Sequence, residues 1–490
     1  MAGIGFELKK LFRREGMLGT VIGGAYATMV TVGPTILVIV ALNVMYYILP
    51  YANVVYREKE VLSAVILYVF IFSLLISGPV NIFLSRYIAD KVFEERYDVL
   101  SSAIEFGNQI IAVLVAVIGI PFAFFMYYKG HLTIPFIAMS YVFFIGLAFT
   151  FYYMTFITLL KEYRMITYSF IAGLLIGMGA SLLMNYIVGF SAQNSILFGM
   201  MIGFNVIAVF LFVMIRKTFP MHIGNSRELR KFAWQQRYLI GSNLFYLLGL
   251  YIHNFVFWGL SEYRVVVSDV FVCTPIYDEA TFLAMLTNLS FLVVFVVNVE
   301  TKFHSAYQIY CQSVIGAGGH DIAKSKSRML SVLRNELLSI IQLQFIIIII
   351  LFLIANILIP KLGMDGAILN IYPVMAVGFF LINLVQGLMI FLFYLDDAKG
   401  ACITGLIFFL GILLGSLVTV HFSTVYCGLG VVFGGFCGFT FIFFRIRYMF
   451  LHLDEHIFCR DNIVKKIKTP KSNQNVTIFT NESAGMEESR

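Results

Sequence analysis

Charge is what this sequence has least of. Asp, Glu, Lys and Arg make up 12% of its 490 residues, against 60% hydrophobic. So small a polar share cannot coat a soluble globule of that length. Soluble classes are excluded, which leaves a polytopic membrane protein. Carboxylates are missing from mid-depth in every apolar run: the 27 Asp and Glu sit in loops, in the tail or near run ends, with Glu105, Glu279 and Glu300 the nearest to an interior. A cation-coupled drug antiporter usually carries an intramembrane acid, so that class is disfavoured. The six cysteines (Cys273, Cys311, Cys402, Cys427, Cys437, Cys459) form no CxxC pair and no metal spacing. Neither a disulfide nor a metal site is expected from them. There is no Walker loop, no HExxH and no Ser-His-Asp spacing, and "GAGGH" at 316–320 follows no strand. The expectation is a protein that is not an enzyme and binds no cofactor.

What is present instead is apolar length. A hydrocarbon core of about 30 Å takes roughly 20 apolar residues per helix. Twelve such windows lie between polar breaks, at about 18–49, 62–84, 106–128, 132–160, 165–188, 192–215, 237–260, 280–303, 337–359, 367–395, 401–421 and 425–446. The expected fold class is all-α, with about 12 transmembrane helices. With the N-terminus in the cytoplasm, 29 of the 34 Lys and Arg fall on the cytoplasmic side, and only Arg57, Lys59, Lys129, Arg264 and Lys361 on the other. Retained positive flanks produce this bias. The chain therefore reads as a multi-pass protein of the cytoplasmic (inner) membrane with both termini cytoplasmic. Its net charge of +7 reflects topology, and no nucleic-acid partner is expected, because the basic residues border spans instead of forming one patch. No cleavable signal peptide is expected, since the first apolar run is long and a charged segment precedes it.

Five segments follow. In 1–17, Ile4, Leu8, Leu11 and Phe12 share a helical face while Lys9, Lys10, Arg13 and Arg14 lie elsewhere. This is an amphipathic segment on the inner leaflet, a basic topogenic flank, or both. Residues 18–215 hold spans one to six, an N-lobe; 216–236 form a basic cytoplasmic linker; 237–448 hold spans seven to twelve, a C-lobe; and 449–490 form a polar tail expected to be disordered. "ELRKFA" at 228–233 echoes "ELKKLF" at 7–12, an offset of 221 residues that carries 62–84 onto 283–305, close to the eighth span. Six spans per half give both lobes the same orientation, so the repeats are expected to be parallel, about an axis along the membrane normal.

Inside the spans the polar content is neutral. Tyr246, Tyr251, His253, Asn254, Trp258, Asn43, Asn288 and Asn383 are candidates for lining a substrate passage. Amides and aromatic rings suit a neutral carbohydrate, whose hydroxyls hydrogen-bond and whose C–H faces stack. Hydrogen bonding between helices accounts for the same residues, and a lone histidine is more often a packing residue than a relay. Gly33-Pro34 and Gly78-Pro79 put a helix breaker inside the first two spans. Proline removes a donor and crowds the carbonyl four residues back, so both spans are expected to kink there and serve gating. The tolerance of membrane helices for proline is the other explanation.

The start "MAGIGFELKKLFRREG", "GPTI" at 33–36, "SGPVNIFLSRYIADKVFEERYDVL" at 77–100, "GLYIHNFVFW" at 249–258, "ETKFHSAYQIY" at 300–310 and "FYLDD" at 393–397 occur in order over roughly residues 1 to 450. Together they resemble the PelG family of exopolysaccharide exporters, within the multidrug/oligosaccharidyl-lipid/polysaccharide (MOP) flippase superfamily. The resemblance implies two six-helix lobes around a central passage. It further implies export of an N-acetylhexosamine-rich, Pel-type polysaccharide during biofilm formation, before deacetylation makes the polymer cationic. The implied partners are membrane lipid, a cytoplasmic glycosyltransferase and associated membrane proteins, some responding to cyclic di-GMP. By the same analogy Arg86, Tyr87, Asp90 and Arg96, after the second span, are expected to face His304, Tyr307 and Tyr310, after the eighth. With Asp396 and Asp397 they would form the inner gate or a docking surface for the glycosyltransferase. Two other functions fit the same residues: a flippase for lipid-linked oligosaccharide, and a membrane scaffold holding a polysaccharide synthase.

Overall fold

The computed structural model describes residues 32–453, apart from 52–53, 97–98, 161, 220–225, 299–301, 317 and 362. Fourteen helices and one two-stranded hairpin occur among them. They are α1 (Gly33–Ile48), α2 (Tyr56–Phe93), α3 (Leu100–Tyr128), α4 (Ile134–Leu159), α5 (Tyr163–Tyr186), α6 (Ala192–Thr218), α7 (Ser226–Gln235), α8 (Arg237–Leu260), β1 (Val265–Val267), β2 (Phe271–Cys273), α9 (Pro275–Asn298), α10 (His304–Gly316), α11 (Gly319–Lys361), α12 (Ile368–Tyr394), α13 (Ala398–Thr419) and α14 (Leu429–Leu451). Eleven are long and apolar enough to cross a membrane, and α1 is a shorter apolar helix. The chain is thus an all-α, multi-pass membrane protein, as expected, with an antiparallel hairpin that its periodicity did not announce.

Two helices exceed what a bilayer needs. The 38 residues of α2 span about 57 Å and the 43 of α11 about 65 Å at about 1.5 Å per residue. The first half of α11 is polar, "GHDIAKSKSRMLSVLRNE", and packs against α10. This half runs on past the apolar stretch that begins near Leu338.

Corrections fall at the ends. The described part of the first span starts at Gly33, with Pro34 in its opening turn. In a first turn the N–H groups have no intrahelical partner, so a proline is tolerated there. The rest of that window, 18–31, lies outside the described residues, as do the amphipathic segment 1–17 and the tail from 454 onward. At Gly78-Pro79 α2 continues without interruption from Tyr56 to Phe93. The eighth span opens at Pro275, earlier than expected, which draws Asp278 into its first turn.

Helices 1 to 6 share one hydrophobic core, and the hairpin residues Val267, Val270, Phe271 and Cys273 belong to it although they lie between α8 and α9 in sequence. In hydrocarbon, association depends on close backbone approach and on hydrogen bonds between helices. Gly173 and Gly177 of α5 meet Gly203 and Gly199 of α6, where a Cβ on Gly177 would lie 2.4 Å from the Gly199 carbonyl oxygen. Gly411 and Gly415 of α13 meet Gly434 and Gly430 of α14 in the same manner, a Cβ on each lying 2.9 Å from the facing Cα. The last helix pair of each half therefore uses one device. Cross-helix bonds add to it, such as Tyr152 Oη to Ile104 O at 2.8 Å and Asn205 Nδ2 to Val142 O at 3.1 Å. The compact unit runs to Arg445; the described residues from 446 onward, which include the last turns of α14, belong to a second unit.

Candidate functional site: a seam between α2 and α8

The first half and the second half of the chain meet directly where α2 packs on α8. A stripe at helical spacing on α2, Leu67, Tyr68, Ile71, Leu74 and Leu75, packs with Leu250, Tyr251, Phe255 and Trp258 of α8. Farther along, Gly78 brings the backbones together: a Cβ there would lie 2.3 Å from Leu247 Cδ1 and 2.8 Å from Asn243 Oδ1. Asn243 brings an amide to this part of the seam, its Oδ1 buried without a hydrogen-bond partner among the described residues.

The end of the seam beside the hairpin is closed by aromatic rings. Tyr68 lies parallel to Trp258, centroids 4.8 Å apart with 6° between planes. Its hydroxyl donates to Val272 O at 2.8 Å and accepts from Val272 N at 3.1 Å, which ties α2 to β2. Trp258 is held from the other side by Asp278. Its Nε1 lies 3.0 Å from both carboxylate oxygens, Asn254 Nδ2 donates to Oδ1 at 2.8 Å, and Thr274 N donates to Oδ2 at 2.9 Å. These are neutral donors, and the helix N-terminus adds a favourable dipole. No carboxylate was expected to bear on the passage, so Asp278, with Tyr68 and Tyr277, is what sequence reasoning missed. The available signal was Asn254 and Trp258 at i, i+4, two donors on one helical face with no acceptor nearby in sequence.

The opposite end carries basic residues. Arg86 pairs with Asp90 at 3.3 Å on its own helix and with Asp396, between α12 and α13, at 3.7 Å. Asp396 takes a positive φ of 55°, which its short side chain tolerates. Lys91 pairs with Glu94 at 2.9 Å and with Glu228 of α7 at 3.3 Å, and its ammonium lies over the Tyr87 ring. The second tie at this end, Arg445 to Asp397 at 2.7 Å, stays within the second half, where Asp397 also accepts from Gly400 N to cap α13.

The expected residues distribute between the seam and other places. Tyr251, Asn254 and Trp258 lie at it or directly behind it. Tyr246 and His253 point instead into the second half: Tyr246 Oη donates to Gln386 Oε1 at 3.1 Å and its ring stacks on Phe408, while His253 Nδ1 lies 2.9 Å from Tyr277 Oη. Asn288 and Asn383 join helices, Asn288 Nδ2 donating to Ala376 O at 3.0 Å and Asn383 Nδ2 to Asn288 O at 3.3 Å. For these two the bonding between helices is what the structure displays. Asn43 is exposed on α1 and bonds its own helix at Ile39. Of the residues expected to face one another, Arg86, Tyr87, Asp90 and Arg96 with His304, Tyr307 and Tyr310, it is Arg86 and Tyr307 that come to the segment Tyr394–Asp396. Arg86 meets Asp396, Tyr87 and Tyr310 are buried packing residues, and Tyr87 sits edge-on to Phe232. Arg96 is exposed. Tyr307 and His304 reach the same segment as Arg86 from the other side, Tyr307 Oη donating to Tyr394 O at 3.3 Å and His304 packing near the Tyr394 ring. Burial lowers the His304 imidazole below its ordinary value of 6.5. Among the described residues no group of His, Cys, Asp and Glu could hold a metal ion.

A bundle of apolar, membrane-length helices of this kind is also found in solved MOP superfamily transporters. Three solved structures cover nearly all of the chain. A MATE transporter in complex with MaL6 matches with a TM-score of 0.61 at 12% identity, over 88% of this chain and 97% of that one. A MOP superfamily transporter from Pyrococcus furiosus matches with 0.59 at 11%, over 92% and 98%. A MATE family transporter in an outward-facing conformation matches with 0.57 at 12%, over 91% and 98%. At these identities the likeness concerns fold. No curated protein matches the chain. Residues 1–458 match the PelG family, described as "Putative exopolysaccharide Exporter (EPS-E)". The chain belongs to that family.

Proposed function

We propose that the chain exports a neutral, N-acetylhexosamine-rich polysaccharide of the Pel type across the cytoplasmic membrane for the biofilm matrix, along the α2–α8 seam. The carrying observation is that this contact between the halves is fastened by different, separable means at its two ends: a ring stack at one, an ion pair at the other. Opening either end alone would expose the seam to one side of the membrane, which alternating exposure requires. Asn243 offers the polymer an acceptor oxygen that the closed seam leaves unsatisfied, and Tyr68, Tyr251 and Trp258 offer ring faces to sugar C–H groups. The distribution of Lys and Arg supports a cytoplasmic ion-pair end and an external hairpin end, with cytoplasmic termini. On this reading the Arg86–Asp396 end, with Tyr307 and the long α10–α11 pair nearby, meets the glycosyltransferase and its membrane partners.

The test is a lock across the seam. Gly78→Cys with Leu247→Cys, at positions the seam brings together, should form a disulfide that stops surface polymer from accumulating, and reduction should restore it while synthase association is unchanged. Export that continues through the locked seam would sink the proposal and favour a scaffold. Accumulation of a lipid-linked oligosaccharide under the lock would favour a flippase.

A further inference from the structure

A cavity of about 360 Å³ lies between α2, α3 and α4 and is roofed by Phe271 of the hairpin. Its wall is almost wholly apolar, with Phe72, Phe122 and Phe144 among the lining rings. Of the three hydroxyl side chains in the wall, Tyr68, Ser140 and Tyr141, two are engaged, Ser140 with Phe136 O and Tyr68 with Val272. An apolar cavity of about 150 Å³ stays dry and takes a benzene ring. This one has room for a longer hydrocarbon segment.

The mouth shows where that segment comes from. Ile118 and Phe125, both lining residues, are 37% and 41% exposed on α3, a membrane-crossing helix whose apolar window is mostly unburied. In a bilayer that surface faces lipid. One turn beyond Phe125, at the end of α3, Lys129 places its ammonium 5.4 Å from the Phe125 ring centroid. A hydrocarbon slot with a cation at its rim is complementary to a phospholipid, one acyl chain inside and the phosphate at the lysine.

We infer that this cavity is a phospholipid site in which one acyl chain packs behind Tyr68, with Lys129 holding the phosphate. Tyr68 is the partition: one face lies on Trp258 across the seam, while on the other side Phe122 stacks at 6.1 Å and Phe271 meets it edge-on at 5.4 Å. An acyl chain there keeps the ring against Trp258. Its departure leaves space into which Tyr68 can turn. This consequence for gating rests on the proposed export path, whereas lipid occupancy does not.

The experiment uses the full chain in nanodiscs containing a phospholipid with a diazirine-bearing acyl chain, with labelled residues mapped by mass spectrometry. Expected is labelling of Phe72, Phe122 or Phe144, reduced at least fivefold by Ala123→Phe, which fills the cavity, and reduced also by Lys129→Glu. Labelling of Phe124, exposed on α3 outside the cavity, should stay the same in all three proteins. Val65→Phe is the second filling variant should Ala123→Phe fail to fold. Labels confined to Phe124 and similar outer positions, or cavity labels that both filling variants leave unchanged, would overturn the site. If labelling behaves as expected while the seam lock leaves export untouched, the lipid site stands and the export path falls.

Discussion

A side chain at position 78 is expected to wedge the two halves apart. A Cβ there would stand 2.3 Å from Leu247 Cδ1 and 2.8 Å from Asn243 Oδ1, where ordinary contact begins near 3.4 Å. Leu247 must retreat by about 1 Å, and because its far end is flexible, Gly78→Ala should cost about 1 kcal/mol or less through an altered rotamer. Gly78→Leu adds three carbons beyond the Cβ, which Leu247 and Asn243 cannot both avoid, an overpacking cost of about 1–3 kcal/mol. The cost falls on the closed seam alone, so it should lower the closed-to-open ratio about 5- to 150-fold. The assay is the rate at which a short bifunctional thiol reagent joins Leu75→Cys to Leu250→Cys, two positions within the seam cluster, in a background without the six native cysteines. The order expected is parent, then Gly78→Ala slightly slower, then Gly78→Leu much slower, with Leu247→Ala restoring the last. Equal rates in all of them, with folding intact, would refute the reasoning.

Asp278→Ala leaves Asn254, Trp258 and Thr274 N without their acceptor at about 1–3 kcal/mol per buried donor. With Trp234→Phe leaving Trp258 as the sole indole, its emission should shift red, less so in Asp278→Asn. Arg86 and Asp396 are 44% and 72% exposed, so their pair is worth about 0–1 kcal/mol and neither Arg86→Asp nor Asp396→Arg should change thermal stability by more than that. Export should fall in each single variant and recover in the double one. Gly177→Leu and Gly411→Leu should abolish folded protein in detergent, while Gly179→Leu, with nothing near its Cβ, should be purified normally. His304 is held neutral by burial, so the unfolded chain takes up its proton first. The stability linked to it is present above 6.5 and lost as pH falls below that value. A melting series from pH 7.5 to 5.5 should show a steeper loss in the parent than in His304→Gln.

How far the chain was legible depended on how local each feature is. A span requires only a run of apolar residues, so the windows 132–160 and 192–215 come close to the helices Ile134–Leu159 and Ala192–Thr218. Asp278 was misjudged because Pro275 starts its helix early, and its donors stand 20 and 24 residues back on another helix. The Tyr68–Trp258 stack joins residues 190 positions apart, across the seam, and no periodicity links them. The glycine pairs are intermediate. Spacing of four at 173/177, 199/203, 411/415 and 430/434 is visible in the sequence, yet only the fold shows which pair meets which.

Composition alone determined that this chain lives in a membrane, because backbone groups and apolar side chains there tolerate little besides long helices. Ordered motifs within it determined the exporter family. The tertiary structure decided where the halves meet and how each end is fastened, since contact between distant helices follows from shape and unsatisfied donors on both partners at once. It also decided that Asn288, Asn383 and His253 bond neighbouring helices, while Tyr68, Gly78 and Asp278 guard the seam.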